Sequence, residues 1–257
     1  MTIGAGPIVV GLLVGLLVGM TGMGGASLMT PIMILVLGVR PVIAVGTDLV
    51  YSIITKAVGS GVHLKNATVD TKVTFRLAIG SLPGAVLGVI VLSQLKRRLD
   101  IESMDAVVLR MIGGLLVIVA VAMAIRALAP ALLKRRSEEA HEAPAWVLPV
   151  AGAIVGFLVG LTSVGSGTLI VVVLTLATSL TAQRLVGTDL FHGMLLVVVA
   201  GVGQLLVGTV DLGLVANILI GSIPGVWVGS QLSARFPERP LRLVLASVLL
   251  ISGIKLF

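Results

Sequence analysis

The stretch 45-VGTDLV-50 places an aspartate inside an otherwise apolar run, and nearly the same letters return as 186-VGTDLF-191. A shift of 141 residues, from 45 to 186, aligns these two copies and also aligns 79-IGSLPG-84 with 220-IGSIPG-225. No gap is needed between the two matches. Because self-similarity at one fixed shift indicates repeated units, the chain is predicted to consist of two homologous halves.

The composition indicates an integral membrane protein. Of the 257 residues, 57% are hydrophobic and only 11% are charged, and the mean hydropathy is +1.19. An average soluble domain carries roughly 25% charged residues. Runs such as 111-MIGGLLVIVAVAMAI-125 are continuously apolar rather than alternating, which favours membrane-spanning helices over a β-barrel. The predicted fold class is therefore an all-α polytopic membrane protein.

The charges and reactive residues exclude several other classes. The net charge is +7, but the Lys and Arg residues lie at the ends of apolar runs, as in membrane proteins, so no nucleic-acid partner is expected. There is no cysteine, no nucleophile constellation, and no His or carboxylate cluster with metal-ligand spacing. The apolar run from Pro7 is too long for the core of a signal peptide. We expect no enzyme activity, cofactor, metal or cleaved leader.

Each half is predicted to contain two short helices separated by a Gly-rich break, followed by three spanning helices. The breaks are 21-TGMGGAS-27 and 162-TSVGSGT-168. The predicted helices are about 7–20, a second ending near Gly38, 42–62, 72–92 and 106–128 in the first half, and 147–160, 167–179, 183–206, 212–232 and 241–256 in the second. Residues 1–133 are the predicted first repeat, 134–146 a linker and 147–257 the second repeat, within one membrane domain.

The two short helices of each half allow two topologies. A re-entrant hairpin or a pair of short tilted spans gives an odd number of crossings and inverted halves, whereas one broken helix gives parallel halves. Leaving out Lys56, inversion puts 11 of the other 17 Lys and Arg on the linker side and 6 opposite, against 9 and 8 for parallel halves. Because cytoplasmic loops carry the basic excess, we expect inverted five-helix repeats with a cytoplasmic linker and both termini outside.

The glycine breaks predict an anion site. Irregular backbone within a membrane is tolerated only where protein or water satisfies its polar groups. Ser27 and Thr168 are expected to be the N-caps of the second short helices, whose N–H groups would then face the cavity. Close packing of helices through small residues is the structural alternative.

The repeated aspartates, Asp48 and Asp189, have two interpretations. In one, Thr47 and Thr188 cap a helix and the acids complete its first turn, where the helix dipole favours them. In the other, the carboxylates couple transport to protons or cations, since a buried charge in a membrane is costly and most often functional. His192 lies one turn from Asp189 and could share a proton with it.

Lys56 differs from these residues because the repeat does not duplicate it: Val197 occupies the equivalent position. It lies past the middle of 49-LVYSIITKAVGSGV-62, too deep to reach either surface easily. Asp48 is about 12 Å away along the helix, too far for a direct pair within one straight helix. Lys56 is therefore predicted to face an anionic ligand, with a structural ion pair to another helix as the alternative.

These features together resemble the sulfite exporter TauE/SafE family, also called toluene sulfonate uptake permeases. The resemblance rests on the paired breaks and VGTDL segments, 55-TK-56 with His63, Val69-Asp70, and the twin IGS-x-PG motifs, and it covers about 8–256. It implies a bacterial inner-membrane carrier for sulfur oxyanions such as sulfite, sulfoacetate or other organosulfonates.

The residues and the resemblance both indicate an anion, and we expect an exporter working by alternating access. The alternatives are a cation or metal carrier using the paired aspartates, or a non-transporting membrane partner of sulfur metabolism; a homo-oligomer stays open. Asp48, Asp189 and His192 are the predicted proton-coupling residues. The predicted substrate-binding residues are Thr21, Gly22, Gly24, Gly25, Ser27, Thr47, Lys56, Thr162, Ser163, Gly165, Ser166, Gly167, Thr168 and Thr188.

Overall fold

The computed structural model describes residues 4–21, 26–128, 143–233 and 238–257. Within these ranges the chain forms ten helices and no strand. The first half contains α1 (Ala5–Thr21), α2 (Ala26–Leu35), α3 (Pro41–Lys65), α4 (Thr71–Arg98) and α5 (Ile101–Leu128). The second half contains α6 (Val147–Thr162), α7 (Thr168–Ala177), α8 (Ala182–Val207), α9 (Leu212–Ser233) and α10 (Glu238–Lys255).

Each half contains the predicted five helices, two short and three longer, but the predicted spanning helix at 241–256, which forms as α10, is not among the described helices long and apolar enough to cross a membrane. Among the described residues, α3, α4, α5, α8 and α9 are long and apolar enough to cross a membrane. The chain is therefore an all-helical, multi-pass membrane protein. Most of the predicted linker, including all of 134–142, lies outside the described residues.

Two predicted boundaries were wrong by several residues because charged residues continue a helix. Helix α4 runs to Arg98, since its last turn carries Lys96, Arg97 and Arg98, which favour the negative end of the helix dipole. Helix α5 begins at Ile101 rather than near 106, with Glu102 in its first turn.

The Val-Asp pair before α4 and before α9 is the start signal of both helices. The carboxylate of Asp70 accepts a hydrogen bond from the Val73 N–H at 3.0 Å, and that of Asp211 accepts one from the Leu214 N–H at 2.9 Å. A residue placed three positions before the bonded N–H in this way is an N-cap.

The first helix of each half packs against a helix of the other half. Helix α1 packs on α9, and α6 packs in the same way on α4. A Cβ atom on Gly80 would collide with the Pro149 carbonyl oxygen, and one on Gly221 with the Ile8 carbonyl oxygen, which is the equivalent pair. Glycine therefore lets these helices touch backbone to backbone, as expected for small residues between membrane helices.

Helices α3 and α8 occupy equivalent positions in the two halves and cross each other in opposite directions. The Ser60 hydroxyl donates to the Leu190 carbonyl at 3.1 Å near the end of α3. Near its start, Leu49 lies beside Gly201. Helices α5 and α10 also pack together, with Gly113 against Gly253. This antiparallel central pair brings the charged residues of the two halves together.

Candidate functional site

Three polar residues of α3 share one helix face. Asp48, Ser52 and Lys56 are spaced four residues apart, which places them on consecutive turns of the same side. All three are buried. This face is turned toward α2, α8 and the second glycine break, so it forms one wall of the candidate site.

Asp48 is held by hydroxyl groups from both halves. Its Oδ2 accepts from the Thr30 hydroxyl at 2.6 Å and from the Ser163 hydroxyl at 2.7 Å, and its Oδ1 accepts from Ser52 at 3.4 Å. Thr30 belongs to α2 and Ser163 to the second break. Asp48 therefore joins a short helix of one half to the break of the other.

The helix-capping interpretation of the aspartates was wrong. Helix α3 begins at Pro41 and α8 at Ala182, so Asp48 and Asp189 lie beyond the first turn of their helices. The Thr47 hydroxyl instead accepts from the Asp211 N–H at 3.1 Å, and the Thr188 hydroxyl accepts from the Asp70 N–H at 2.9 Å. Both threonines thus fix the starts of α9 and α4.

Lys56 points at the second break. Its Nζ donates to the Ser166 carbonyl at 3.2 Å and to the Ser166 hydroxyl at 3.0 Å, and the residue is only 2% exposed. Gly193 of α8 lies directly against it, since a Cβ atom there would be 2.6 Å from Nζ. Within the described residues Lys56 forms no ion pair, although Asp189 and Asp48 both act on its charge.

Among the described residues, Asp189 has none of the hydroxyl partners that its repeat equivalent Asp48 has. The residues that surround Asp48, namely Thr30, Ser52 and Ser163, correspond in the repeat to Val171, Gly193 and Gly22. Asp189 is 5% exposed, and its Oδ1 has no hydrogen-bond partner among the described residues. The two aspartates are therefore equal in sequence and unequal in surroundings.

His192 bonds across to α4. Its Nε2 shares a hydrogen bond of 2.7 Å with the Ser81 hydroxyl, while its Nδ1 has no partner in the described part of the chain. The repeat equivalents are Tyr51 and Ser222, which lie close together without a hydrogen bond between their hydroxyls. The expected hydrogen bond from His192 to Asp189 is absent from the described contacts.

The second break is a tight turn with two residues in the left-handed region. Ser163 has φ 63° and Gly165 has φ 96°. The Thr162 hydroxyl donates to the Leu158 carbonyl at 2.7 Å, and the Val164 N–H donates to that hydroxyl at 3.3 Å. The turn therefore aims the side chains of Ser163 and Ser166 at α3.

The predicted cap at Thr168 was wrong by one residue. Thr168 is the first residue of α7, and the N-cap is Gly167, which has no side chain to bond. The predicted cap Ser27 is likewise not a cap, because α2 already begins at Ala26. Its side chain, that of Thr21, and the residues Gly22, Gly24 and Gly25 lie outside the described part of the structure.

Three contributors to the site were missed at the sequence level: Thr30, Ser52 and Gly193. Ser52 was detectable, because it lies midway between Asp48 and Lys56 at helical spacing. Gly193 was detectable as the glycine that replaces Ser52 in the second repeat. Thr30 gave no local signal, since its partner lies 18 residues away.

A separate cavity of about 220 Å³ lies at the starts of α4, α6 and α8 and the end of α7. Asp70, Arg76, Thr178 and Arg184 are among its lining residues, and Arg184 pairs with Asp70 at 3.0 Å. Among the residues that the structure describes, no three His, Cys, Asp or Glu side chains converge on a point suited to a metal ion.

Comparison with known proteins gives consistent matches over almost the whole chain. The model of the family described as "Sulfite exporter TauE/SafE" matches residues 8–256. A probable membrane transporter protein of Bacillus subtilis (strain 168), YjnA, is 42% identical over 251 residues, covering 97% of this chain and 98% of the relative. A second probable membrane transporter of that organism, YunE, is 26% identical over 265 residues, covering 97% and 95%. No solved structure matches the chain.

Proposed function

The chain belongs to the sulfite exporter TauE/SafE family, and we propose that it exports sulfite or a small organosulfonate anion such as sulfoacetate. Its family and its relatives make it a membrane transporter rather than an enzyme. The substrate class follows from the family together with the charge of the site.

The observation that carries the proposal is the buried ammonium group of Lys56. A lysine near the middle of a spanning helix is costly in a membrane and requires a partner. Its hydrogen bonds go to the carbonyl and hydroxyl of Ser166, and neither group carries a charge to neutralise it. An oxyanion with three acceptor oxygens would supply both the charge and further acceptors.

The substrate is proposed to bind between the two glycine breaks. Lys56 and Ser166 are the best-supported substrate-binding residues, because their side chains are buried and hydrogen-bonded to each other. The Ser163 hydroxyl donates a hydrogen bond to the Asp48 Oδ2 at 2.7 Å. It would bind the substrate only if this hydrogen bond broke. Residues of the first break would complete the site from the other half.

Alternating access between inverted repeats is the proposed transport mechanism. It is supported by the exchange of α1 and α6 between the halves and by the antiparallel crossing of α3 with its repeat equivalent α8. Equivalent helices that run in opposite directions and both span a membrane have opposite orientations. Carriers built this way bind substrate near the midplane, between the repeats.

The proposed location is the bacterial inner membrane, with the linker cytoplasmic and both termini outside. The basic residues support this orientation, because 11 of the 17 counted above lie on the linker side. Fusing a periplasm-dependent reporter to each terminus would test it.

A single cation held by both aspartates is disfavoured by their separation. Asp189 adjoins Leu190, whose carbonyl is bonded by Ser60. Ser60 is twelve residues from Asp48 on α3, which corresponds to about 18 Å along the helix. One ion cannot bind both carboxylates across that distance.

Replacing Lys56 with methionine tests the proposal. Met keeps most of the apolar stem but removes the charge and the donors. Hydrogen bonds to a charged group contribute about 1.5–3 kcal/mol, so the affinity for sulfite should fall by about 10- to 100-fold. The measurement is calorimetric titration of the purified protein with sulfite, sulfoacetate and methanesulfonate.

Lys65→Met is the matched control, because Lys65 is exposed at the end of the same helix. Uptake of sulfite into liposomes that contain only this protein separates a carrier from a scaffold. Unchanged affinity in Lys56→Met would remove the assigned role of Lys56. Absence of binding and uptake in the unsubstituted protein would overturn the substrate class itself.

A further inference from the structure

The two repeated aspartates, Asp48 and Asp189, differ in the hydrogen bonds that they accept, and this difference indicates different functions. Asp48 accepts three hydrogen bonds from hydroxyl groups. Asp189 is also buried, but its Oδ1 has no partner among the described residues. A buried acceptor without a partner is unfavourable, so it requires an explanation such as a ligand, an ion or an exchangeable proton.

Asp189 lies one helix turn from the residue that contacts the Lys56 ammonium group. Gly193 is four residues further along α8, on the same helix face, and a Cβ atom there would be 2.6 Å from the Lys56 Nζ. Along α3, Asp48 and Lys56 differ in level by about 12 Å.

Other charged or titratable groups face Asp189 from the helices packed around it. Arg126 of α5 acts on it electrostatically, and His192 lies one turn along its own helix. Asp70, before α4, is close by but is already paired with Arg184. Helices α6 and α7 contain no titratable residue. Lys56 is therefore the buried cation facing Asp189 from the centre of the protein.

We propose that in the empty carrier the carboxylate of Asp189 balances the charge of Lys56 from about one helix turn away, without a direct ion pair, and that a substrate anion bound at Lys56 moves together with one proton bound by Asp189. This inference rests on the proposed function, because it assumes an anion at Lys56. The anion binds the ammonium group, and a proton taken up from the solution neutralises the Asp189 carboxylate. No other co-reactant is needed.

The charges explain why the two binding events favour each other. With Asp48, Asp189 and Lys56 ionised, the cluster carries a net charge of −1, and a monovalent anion would raise it to −2 in a place shielded from water. One proton on Asp189 restores −1. Because linkage is reciprocal, the anion strengthens protonation as much as protonation strengthens anion binding.

A consequence for transport follows from this stoichiometry. One monovalent anion and one proton together carry no net charge across the membrane. The direction of transport is then determined by the concentration gradient of the substrate and the pH difference. The membrane potential has no effect.

The test measures proton uptake on binding. Detergent-purified protein in weak buffer with a pH indicator is mixed with sulfite and, separately, with methanesulfonate, and each variant is compared under the same probe. With methanesulfonate, which does not titrate near neutral pH, we expect about one proton taken up per anion in the unsubstituted protein and none in Asp189→Asn; sulfite, which titrates there itself, reports binding only. Glu102→Gln, at an exposed carboxylate in the first turn of α5, should retain the uptake. His192→Gln tests whether the proton binds there instead, since Gln keeps a group that can bond Ser81.

Flux into liposomes gives a second readout on the same variants. Methanesulfonate flux through the unsubstituted protein should follow an imposed pH gradient and ignore a potassium-diffusion potential. In Asp189→Asn it should respond to the potential and not to the pH gradient. If Asp189→Asn does not fold, dependence of the unsubstituted protein's flux on the potential would by itself overturn the inference.

The outcomes separate the two proposals. Binding and transport with unchanged proton uptake in Asp189→Asn would overturn the role of Asp189 while leaving the proposed function intact. Loss of proton uptake in His192→Gln, with uptake retained in Asp189→Asn, would assign the proton to His192 and would also overturn the role of Asp189. No binding of either anion to the unsubstituted protein would overturn the proposed function.

Discussion

The outer helix pairs and the central helix pair follow the internal repeat to different degrees. Where α1 packs on α9 and α6 on α4, each close glycine contact has its equivalent in the other half, such as Gly80 with Pro149 and Gly221 with Ile8. Along α3 and α8 the threonines Thr47 and Thr188 keep this equivalence. The site does not, because Val197 takes the place of Lys56 in the repeat and, among the described residues, the hydroxyls around Asp48 have no counterparts around Asp189. The symmetric contacts hold the helices together, whereas the asymmetric ones define the site.

The largest expected effect tests the symmetric part of this comparison. Gly80→Ala and Gly221→Ala each place a methyl group against a backbone carbonyl that cannot rotate away. We expect each to lower the free energy of unfolding by about 3 kcal/mol, the upper end for overpacking. Thermal unfolding of the purified variants in detergent measures this loss.

Gly61→Ala is the control for both variants, since nothing lies within 4 Å of a Cβ atom at that position. It should unfold at nearly the same temperature as the unsubstituted protein. A large loss in one half and none in the other would show that the outer pairs are not equivalent in energy.

The second largest expected effect tests the contacts of Lys56, which the repeat does not duplicate. Gly193→Ala would place its methyl group 2.6 Å from the Lys56 Nζ and 3.0 Å from the Ser166 carbonyl oxygen. Lys56 must then move away from the break, and we expect sulfite affinity to fall about tenfold, equivalent to about 1.4 kcal/mol. The same titration as for Lys56→Met measures it.

Gly59→Ala is the matched control, because Gly59 also lies at the contact of α3 with α8 but would only touch Leu190 at 3.7 Å. Equal affinities of the Gly193 and Gly59 variants would show that the position of Lys56 does not depend on Gly193.

The smallest expected effect tests a pair of hydrogen bonds that the repeat duplicates. Thr47→Val and Thr188→Val remove the acceptors of the Asp211 and Asp70 N–H groups. Each should cost about 1 kcal/mol, at the low end for a buried group left without a partner. Thr175→Val is a control, because its hydroxyl bonds only within its own helix. Chemical denaturation that showed unequal losses for Thr47 and Thr188 would limit the symmetry to the glycine contacts.

The sequence predicted most of the helices because long apolar runs and repeated glycine motifs are local signals. The shift of 141 residues also aligned Asp70 with Asp211. The sequence did not indicate that these two aspartates are the N-caps of α4 and α9. Thr168 was misplaced because the turn before α7 makes Gly167 the cap, and a turn of that kind is defined by backbone angles that the residue types only partly indicate.

The partners within the site were less predictable. Ser163 meets Asp48 from 115 residues away and Ser166 meets Lys56 from 110, so only the packed fold brings them together. The sequence identified Asp48, Asp189 and Lys56 as unusual. It did not indicate that one aspartate would be surrounded by hydroxyls and the other would not, since Thr30 is an ordinary residue of an apolar helix.

The exchange of α1 and α6 between the halves has an evolutionary consequence. Each of these helices covers its glycines with a helix of the opposite half, so a half-length chain on its own would leave its first helix without its main packing partner. A single repeat would therefore need a second, identical chain to cover its first helix. In the fused chain the two copies are free to differ, and one carries Lys56 where the other carries Val197.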